Sequence, residues 1–432
     1  MLNQKLVMKK ILVIGSGGRE HAICEQFKKS SQEIKIFALP GNAGISEIAE
    51  IISEIKQNDH QKIIDFCLRE KIDFVFIGPE QPLVDGLADD LEKNDIRAFG
   101  PSKKAAQLEG SKIFMKKIAV DNNVPTAIYE TFTDAKSALD FAKKLGFPCV
   151  IKTDGLAAGK GVIIPQNLEE CEVVIAEIFG GKFGSAGNKI IIEEFLDGFE
   201  ASYFVITDGK NFIPLGFAHD HKRVGNNDVG PNTGGMGTYA PSPFVNDKME
   251  KEIIEKIIKP TILGLEKASA PFKGILFAGL MIGSKGIKLL EFNARFGDPE
   301  TQVILPRIKS DFVELIEAAI DGNLDKIQVK FDEKKKLVCV VMCAKGYPDS
   351  YEKGTEINGL EQAKKIPDVK ILHAGTIKKD EKILANGGRV LNIIAESDSF
   401  ASARSKAYEA ISKIDWKEGF CRSDIAKKVE EK

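Results

Sequence analysis

The chain has 432 residues, 43% of them hydrophobic and 29% charged, the proportions of a globular protein. Its 61 basic and 63 acidic residues leave a formal charge of -2, so no global field draws it to nucleic acid or to an anionic membrane. No apolar run approaches the roughly 20 residues that span a bilayer, and the N-terminus MLNQKLVMKK has too short an apolar core for a secretory signal, so a cytoplasmic address is expected. At about 150 residues per domain, the length implies two to four domains. The seven cysteines are scattered and form no C-x-x-C pair, which reads as reduced core thiols. Met8, directly before the first strand, is a second candidate start.

Residues 9–110 alternate strand-like and helix-like segments. A strand expected at Lys10–Ile14 runs into Gly15-Ser16-Gly17-Gly18, and a helical pattern continues from Arg19 towards Lys29. Further strands are expected at Ile34–Leu39, Phe74–Ile77 and Ile96–Phe99, with helices at Gln61–Glu70 and Leu83–Asn94. Such alternation builds a parallel sheet, and loops at the carboxyl ends of its strands gather ligands. Three loops qualify: Gly15 to His21, Pro40 to Gly44, and Gly78 to Pro82. The first two are glycine-rich, which lets backbone N–H groups approach a phosphate, and the first opens onto a helix N-terminus. A dinucleotide fingerprint would need glycine where Glu20 stands, and the second strand ends without the acid that holds a ribose hydroxyl. A monophosphate on a sugar, with Arg19 nearby, suits the loop better. A plain strand-to-helix turn is the alternative.

From Ser111 a helix begins, followed by an extended segment at Pro125 and Thr126, a helix expected over Asp134–Leu145 and a strand expected over Phe147–Thr153. That strand carries Lys152 and leads into the small, flexible run from Asp154 to Val162, which contains Lys160 and suits closure over phosphates. The apolar run from Ile190 turns at Glu194, Leu196 and Gly198 towards Glu200. In His219-Asp220-His221 the two histidines share a strand face, yet no third soft ligand lies at a suggestive spacing, so they read as hydrogen-bonded rather than metal-binding. Gly225 to Gly237 is too polar for core and too long for a tight turn, as a substrate loop would be.

The densest chemistry lies between Lys288 and Gln302. If Lys288 to Asn293 is a strand, Glu291 and Asn293 share a face and set two oxygen donors roughly 6 to 7 Å apart, a spacing suited to a hard cation. Arg295 follows as a planar fork for a carboxylate or phosphate. A solvated strand end is the other reading of this spacing. Lys273 to Met281 and Ile287 to Phe292 complete an antiparallel pair, and a helix is expected over Ser310–Asp321. Residues 331–432 carry strands expected at Leu337–Ala344, Ile371–Ile377 and Arg389–Ala395 and a helix at Ser399–Ile414, with no ligand cluster of their own.

The order lysine, lysine-glycine loop, Glu194 to Glu200 turn and Glu291-Phe292-Asn293 resembles the ATP-grasp ligases. With Gly15 to His21, His219 to Arg223, Pro231 to Gly237 and Arg295-Phe296-Gly297-Asp298-Pro299-Glu300-Thr301-Gln302, the chain is similar to the phosphoribosylamine–glycine ligase family from about Met8 to its end. The resemblance implies a multidomain fold of α/β and α+β parts. These are a Rossmann-like domain over 8–110, an ATP-grasp core over 111–330 with a mobile lid over 124–195, and a small α+β cap over 331–432. It implies ATP and Mg2+ (or Mn2+) as cofactors, with glycine and 5-phosphoribosylamine as substrates, and we expect a monomer without nucleic-acid or membrane partners. Lys112, Lys152 and Lys160 would contact ATP phosphates, Glu194 and Leu196 the adenine through main-chain groups, and Glu200 the ribose. Glu291 and Asn293 would hold the cation, since the strand Phe277 to Ile282 carries no carboxylate. Arg295 would bind the glycine carboxylate or its acyl phosphate, and Asp298 would orient the amine. Asp220, Lys222, Arg223, Asn232 and Thr233 fall in the substrate region. Gly17, Gly18, Arg19, Glu20, Asn42, Gly44, Glu80 and Pro82 would surround the ribose phosphate. A related ligase acting on another carboxylate or on bicarbonate, a nicotinamide oxidoreductase, and a regulator that binds ATP without releasing phosphate are the competing readings.

Overall fold

The computed structural model describes residues 8–155 and 161–432. Five strands, β1 (Lys9–Gly15), β2 (Ile34–Pro40), β3 (Glu50–Ile51), β4 (Phe74–Ile77) and β5 (Ala98–Phe99), form a parallel sheet in the order β3-β2-β1-β4-β5. The period of two in β1 divides its side chains between two cores. Ile11 and Val13 pack with Phe27 and Phe312, whereas Leu12 and Ile14 pack with Ile63, Phe66 and Leu83. The helix expected over Leu83 to Asn94 is instead two short ones, Glu80–Asp85 and Leu87–Glu92, because Gly86 between them takes φ 99.

A second, four-stranded sheet has the order β6-β9-β7-β8, from β6 (Tyr129–Phe132), β7 (Cys149–Thr153), β8 (Val162–Ile163) and β9 (Ile190–Glu194). Helices Ala135–Leu145 and Leu168–Glu177, N-capped by Asp134 and Asn167, cover one face with Ala138, Ala142, Cys171 and Ile175. Ile190 and Ile192 meet them. Strand alternation therefore turns Glu193 the other way.

The remainder is organised on one nine-stranded sheet. Its strands are β10 (Phe199–Asp208), β11 (Phe212–Asp220), then, past the hairpin β12 (Arg223–Gly225) and β13 (Val229–Asn232), β14 (Gly237–Ala240), β15 (Lys273–Gly283), β16 (Gly286–Asn293), β17 (Lys336–Ala344) and β18 (Val369–His373). After the hairpin β19 (Thr376–Lys379) and β20 (Lys382–Ala385) come β21 (Arg389–Ser397) and the short β22 (Gly419–Phe420). The order is β16-β15-β10-β11-β14-β17-β21-β18, with β22 beside β17. The substrate loop expected between Gly225 and Gly237 is thus partly an ordered hairpin. The expected strand Ile371 to Ile377 is broken at Gly375, whose Cα is packed against Gly387 so closely that an added Cβ would lie 2.5 Å from it.

The C-terminal segment is more than a cap laid over the site. Through Gly237↔Val340 and the three pairs that follow, β17 hydrogen-bonds to β14 and continues the core sheet. Helix Phe312–Ile320, N-capped by Asp311, packs between this sheet and the N-terminal one. No helix among the described residues is long and apolar enough to cross a membrane.

Candidate active site

A cleft of about 1220 Å³ lies where the three sheets meet. It receives Lys112 and Lys152, Glu194, Leu196 and Glu200, and Asp220, Lys222 and Arg223. Asn232 and Thr233, Glu291, Asn293, Arg295 and Asp298, and from the N-terminal domain Gly17, Arg19, Glu20 and Glu80 also line it. Lys160 lies outside the described residues. Gly18, Asn42, Gly44 and Pro82, expected around a ribose phosphate, do not line the cleft. Each is absorbed by packing. The Asn42 amide donates to the Ser16 and His373 carbonyls while its oxygen accepts from Gly44 and Ile45 N–H groups. A Cβ on Gly44 would meet the rings of His21 and His373, one on Gly18 the amides of Asn392 and Gln302, and Pro82 is buried in its helix.

The Lys112 side of the cleft is built on buried charge. Lys112 begins helix Lys112–Asp121, N-capped by Ser111, whose hydroxyl also donates to Asp154 Oδ1 at 3.0 Å. One turn further on, Lys116 is fully buried, with Nζ 3.2 Å from Glu193 Oε1 and donating to Thr126 Oγ1 at 2.7 Å. Glu193 Oε2 is 3.1 Å from Lys152 Nζ, which donates in turn to the Leu290 carbonyl. That carbonyl is freed by a bulge, since Gly279 pairs with Glu291 but Leu280 with Leu289. Burial, opposed by the Glu193 carboxylate, lowers the Lys116 ammonium to about 8. Glu193 thus joins two lysines that would otherwise be buried without a counter-charge. Glu193→Leu is expected to cost about 3–5 kcal/mol of stability, measured as a shift in the urea midpoint; a change under about 1 kcal/mol would show that the lysines find other partners.

The Glu194 carboxylate is occupied on its own side of the hinge. It accepts from Lys288, Lys285 and the Ile128 N–H, and against the penalty of burial these bonds hold it at about 2. Its side chain is thus fully engaged by protein groups. Glu200 Oε2 lies 2.8 Å from Lys222 Nζ, and this carboxylate, ahead of Glu291 and Asp220, raises the lysine. Glu291 and Asn293 share one face of β16, as the alternation required. Burial pushes the Glu291 carboxyl up, but Lys222, Lys112, Lys152 and Arg295 together outweigh it and keep it ionised. Asn293 Oδ1 accepts only a 3.3 Å bond from Arg295. Both oxygens face the cleft with capacity to spare, and among the described residues no group of three or more His, Cys, Asp or Glu competes as a metal site.

Arg295 is not the free fork that the sequence suggested. Its Nη2 donates to Glu109 Oε1 at 2.7 Å, its Nε lies 3.3 Å from Glu80 Oε2, and its Nη1 reaches the Phe296 carbonyl. The guanidinium beside Glu80 holds that carboxyl at about 2. The Nε is buried against Glu80 without a well-aligned hydrogen bond among the described residues. Arg19 is likewise fastened, to Glu20 Oε1 at 2.6 Å and to the Phe296 carbonyl. The Asp298 carboxylate accepts from the Gln302 amide at 2.7 Å and stays below its usual range because Arg389 and Arg19 outweigh its burial. Asp220 is raised well above the usual carboxylate range, by burial first and then by Glu300, and its Oδ1 has no hydrogen-bond partner among the described residues. His219 Nδ1 donates to the Glu200 carbonyl and its Nε2 bonds Ser242 Oγ, His221 Nδ1 donates to the Gly237 carbonyl, and among the described residues no third ligand joins the two rings.

Several residues here were not singled out in the sequence: Lys116, Glu193, Glu109, Glu300, Arg389 and Tyr347. For Glu193 a signal existed, an acid directly after three isoleucines on one strand. Arg389 and Tyr347 carried none, because only the β14–β17 pairing brings their segment to the cleft.

A four-stranded sheet facing a larger antiparallel sheet across a lysine-lined cleft defines the chain as an ATP-grasp protein, a class that binds ATP together with a divalent cation. Residues 9–109, 110–301 and 337–428 match the N domain, the ATP-grasp (A) domain and the C domain of phosphoribosylglycinamide synthetase. The chain belongs to the phosphoribosylglycinamide synthetase family of ligases. It is 50% identical over 416 residues to the phosphoribosylamine–glycine ligase of Brucella melitensis, covering 96% of this chain and 97% of that one. It is 46% identical over 420 residues to the enzyme of that name from Escherichia coli O6:H1, with coverage of 96% and 97%. The crystal structure of phosphoribosylamine–glycine ligase from Thermotoga maritima superposes with a TM-score of 0.84 at 34% identity, covering 96% of this chain and all of that one. The biotin carboxylase domain of Hydrogenobacter thermophilus 2-oxoglutarate carboxylase, at 18% identity and TM-score 0.73, shares the fold alone.

Proposed function

We propose that the chain joins glycine to 5-phosphoribosylamine at the expense of ATP, giving glycinamide ribonucleotide, ADP and phosphate by way of glycyl phosphate. The observation that carries this reading is a single cleft lined at one side by Lys112, Lys152 and Glu291 and at the other by the Asp298 turn and the β12–β13 hairpin. A carboxylate is a poor electrophile and must be activated first. A glycine carboxylate oxygen attacks the γ-phosphorus and ADP leaves; the amine nitrogen then attacks the acyl carbon, phosphate leaves, and the amine gives up a proton. The site needs charge neutralisation and alignment, not a protein nucleophile.

Lys112 and Lys152 bind the phosphates, the main chain at Glu194 and Leu196 takes the adenine, and Glu200 takes the ribose hydroxyls. Glu291 and Asn293 would hold Mg2+ or Mn2+, which supplies charge neutralisation across the phosphate oxygens; an all-oxygen pair suits such hard cations and leaves other positions to phosphate and water. Arg295 binds the glycine carboxylate or its acyl phosphate. Asp298, ionised, orients the amine, and Asp220 and Lys222 stand beside it. Arg223, Asn232 and Thr233 face the same substrate. Residues 124–195 act as a lid over the nucleotide, on a chain of three domains bounded near 110 and 330. We place the reaction in the cytoplasm and the protein as a monomer.

The test is ADP release by purified protein with MgATP, omitting in turn glycine and phosphoribosylamine generated in place from ribose 5-phosphate and ammonia. Release requiring both is expected. Release supported by another carboxylate but not by glycine would overturn the substrate assignment.

A further inference from the structure

The proposed substrate carries a phosphate, and the loop expected to hold it is already filled. Glu20 Oε2 accepts from the Gly17 N–H at 2.7 Å, its Oε1 faces Arg19, and the residue is only 1% exposed. An added Cβ at Gly15 or Gly78 would sit 2.4 or 2.1 Å from that side chain, so the glycines make room for a carboxylate rather than for a ligand. A nest that holds one anion repels a second. The phosphate therefore needs a cation elsewhere.

Most cations of the cleft are spoken for by a carboxylate. Arg295 has Glu80 and Glu109, Lys222 has Glu200, Lys152 has Glu193, and Lys428 has Asp228. Lys112 stands at the nucleotide end, and Arg223 donates to the Gly230 carbonyl within its own hairpin. Arg389, at the start of β21, is different. Its Nη1 donates to the carbonyls of Gly234 and Asp298, and the nearest carboxylate oxygen is Asp298 Oδ2, 3.7 Å from Nη2. Its Nε and Nη2 make no hydrogen bond among the described residues, and 23% of the side chain is exposed to the cleft. Tyr347 completes the corner: its hydroxyl accepts from the Gly234 N–H at 3.0 Å, and its own O–H remains to donate. The space is made by glycines, since a Cβ on Gly234 would lie 2.9 Å from the guanidinium carbon and one on Gly388 2.3 Å from the Tyr347 ring.

We infer that Arg389, with Tyr347, seats the phosphate monoester of the amine substrate on the C-terminal side of the cleft, which the glycine loop of the N-terminal domain cannot do. The inference rests on the ligase reading above and adds where the substrate's charge is bound. Arg389 also ties the turn at Gly234 to the backbone of Asp298, so the group that binds the phosphate is fixed to the residue that orients the amine.

The experiment compares 5-phosphoribosylamine with ribosylamine, each formed in place from ammonia and the corresponding sugar, with MgATP and glycine. Arg389→Met is expected to lower kcat/KM for the phosphorylated amine roughly 100-fold, mainly through KM, with Arg389→Lys recovering part of it. Turnover of ribosylamine should fall far less, by only what the lost bonds to Gly234 and Asp298 cost, and the KM values for ATP and glycine should stay near wild type. Ribitol 5-phosphate, which has no aldehyde and cannot form the amine, should inhibit the wild type competitively and the Arg389→Met variant hardly at all. An equal loss on both amines would mean that Arg389 only positions the hairpin, and it would overturn the inference. If Arg389→Met does not fold, Tyr347→Phe carries the same test: a loss of roughly 10-fold confined to the phosphorylated amine is expected, and retained discrimination overturns it. Should the wild type release no ADP with glycine and phosphoribosylamine, the ligase reading itself fails, a separate outcome.

Discussion

Glu291→Gln is expected to lower kcat for ADP release roughly 1000-fold while moving the KM for ATP far less. The substitution keeps the shape of the side chain and removes one charge. In the folded chain that residue stands opposite Gly279 on the neighbouring strand, and four cations converge on its charge: Lys222, Lys112, Lys152 and Arg295. Without the carboxylate these cations still attract the polyphosphate, so binding persists. What is lost is the ordered arrangement of charge at the γ-phosphoryl group, which acts in the transition state more than in the ground state. Steady-state ADP release across ATP and Mg2+ concentrations measures both parameters. A loss under about 10-fold would remove Glu291 from the chemistry.

The second large effect is acid lability. His21, His219 and His221 are lowered from 6.5 to about 4 and His373 to about 3, in each case chiefly by burial. His21 shows why in detail: its Nδ1 accepts the His373 N–H at 2.9 Å, so the ring must be neutral there. The unfolded chain takes up these protons near pH 6.5, the folded chain only near pH 4 or below. The stabilisation from neutral rings is therefore complete above pH 6.5 and drains away as pH falls towards 4. Each ring contributes at least about 3 kcal/mol, so the four together exceed about 10 kcal/mol, comparable to the whole stability of a typical domain. Thermal midpoints measured from pH 7.5 downward are expected to drop steeply below pH 6, with cooperative unfolding before pH 4. A midpoint that holds to pH 4.5 would show that the rings charge without unfolding.

How much of this was legible in the sequence varies with the range of the interactions involved. The parallel sheet was readable because each of its long strands is a local apolar run closed by a turn, and Glu291 and Asn293 were placed on one face by strand alternation alone. The split at Gly86 and the break at Gly375 were missed because helical or strand-like composition continues through them, and only a positive φ or a close backbone contact interrupts it. Gly17 and Gly18 looked like a phosphate cradle. Whether such a loop stays open depends on where Glu20 turns, and no spacing reveals that. Arg295 looked free because Glu109 and Glu80, its partners, lie some two hundred residues earlier in the chain. Distant partners also account for Arg389 and for Asn42, whose amide is held by the His373 carbonyl.

The pairing of β17 with β14 has a consequence for synthesis of the chain. Until residues 336–344 emerge, Gly237–Ala240 is an unpaired sheet edge that exposes a row of backbone N–H and C=O groups, a template for association with other chains. The tyrosine and arginine that close on the Gly234 turn arrive later still, in the last hundred residues. A nascent or truncated chain can therefore complete its nucleotide-binding half well before the far wall of the cleft exists. Such an intermediate keeps an edge open to association, and only the full-length chain has both walls of the cleft.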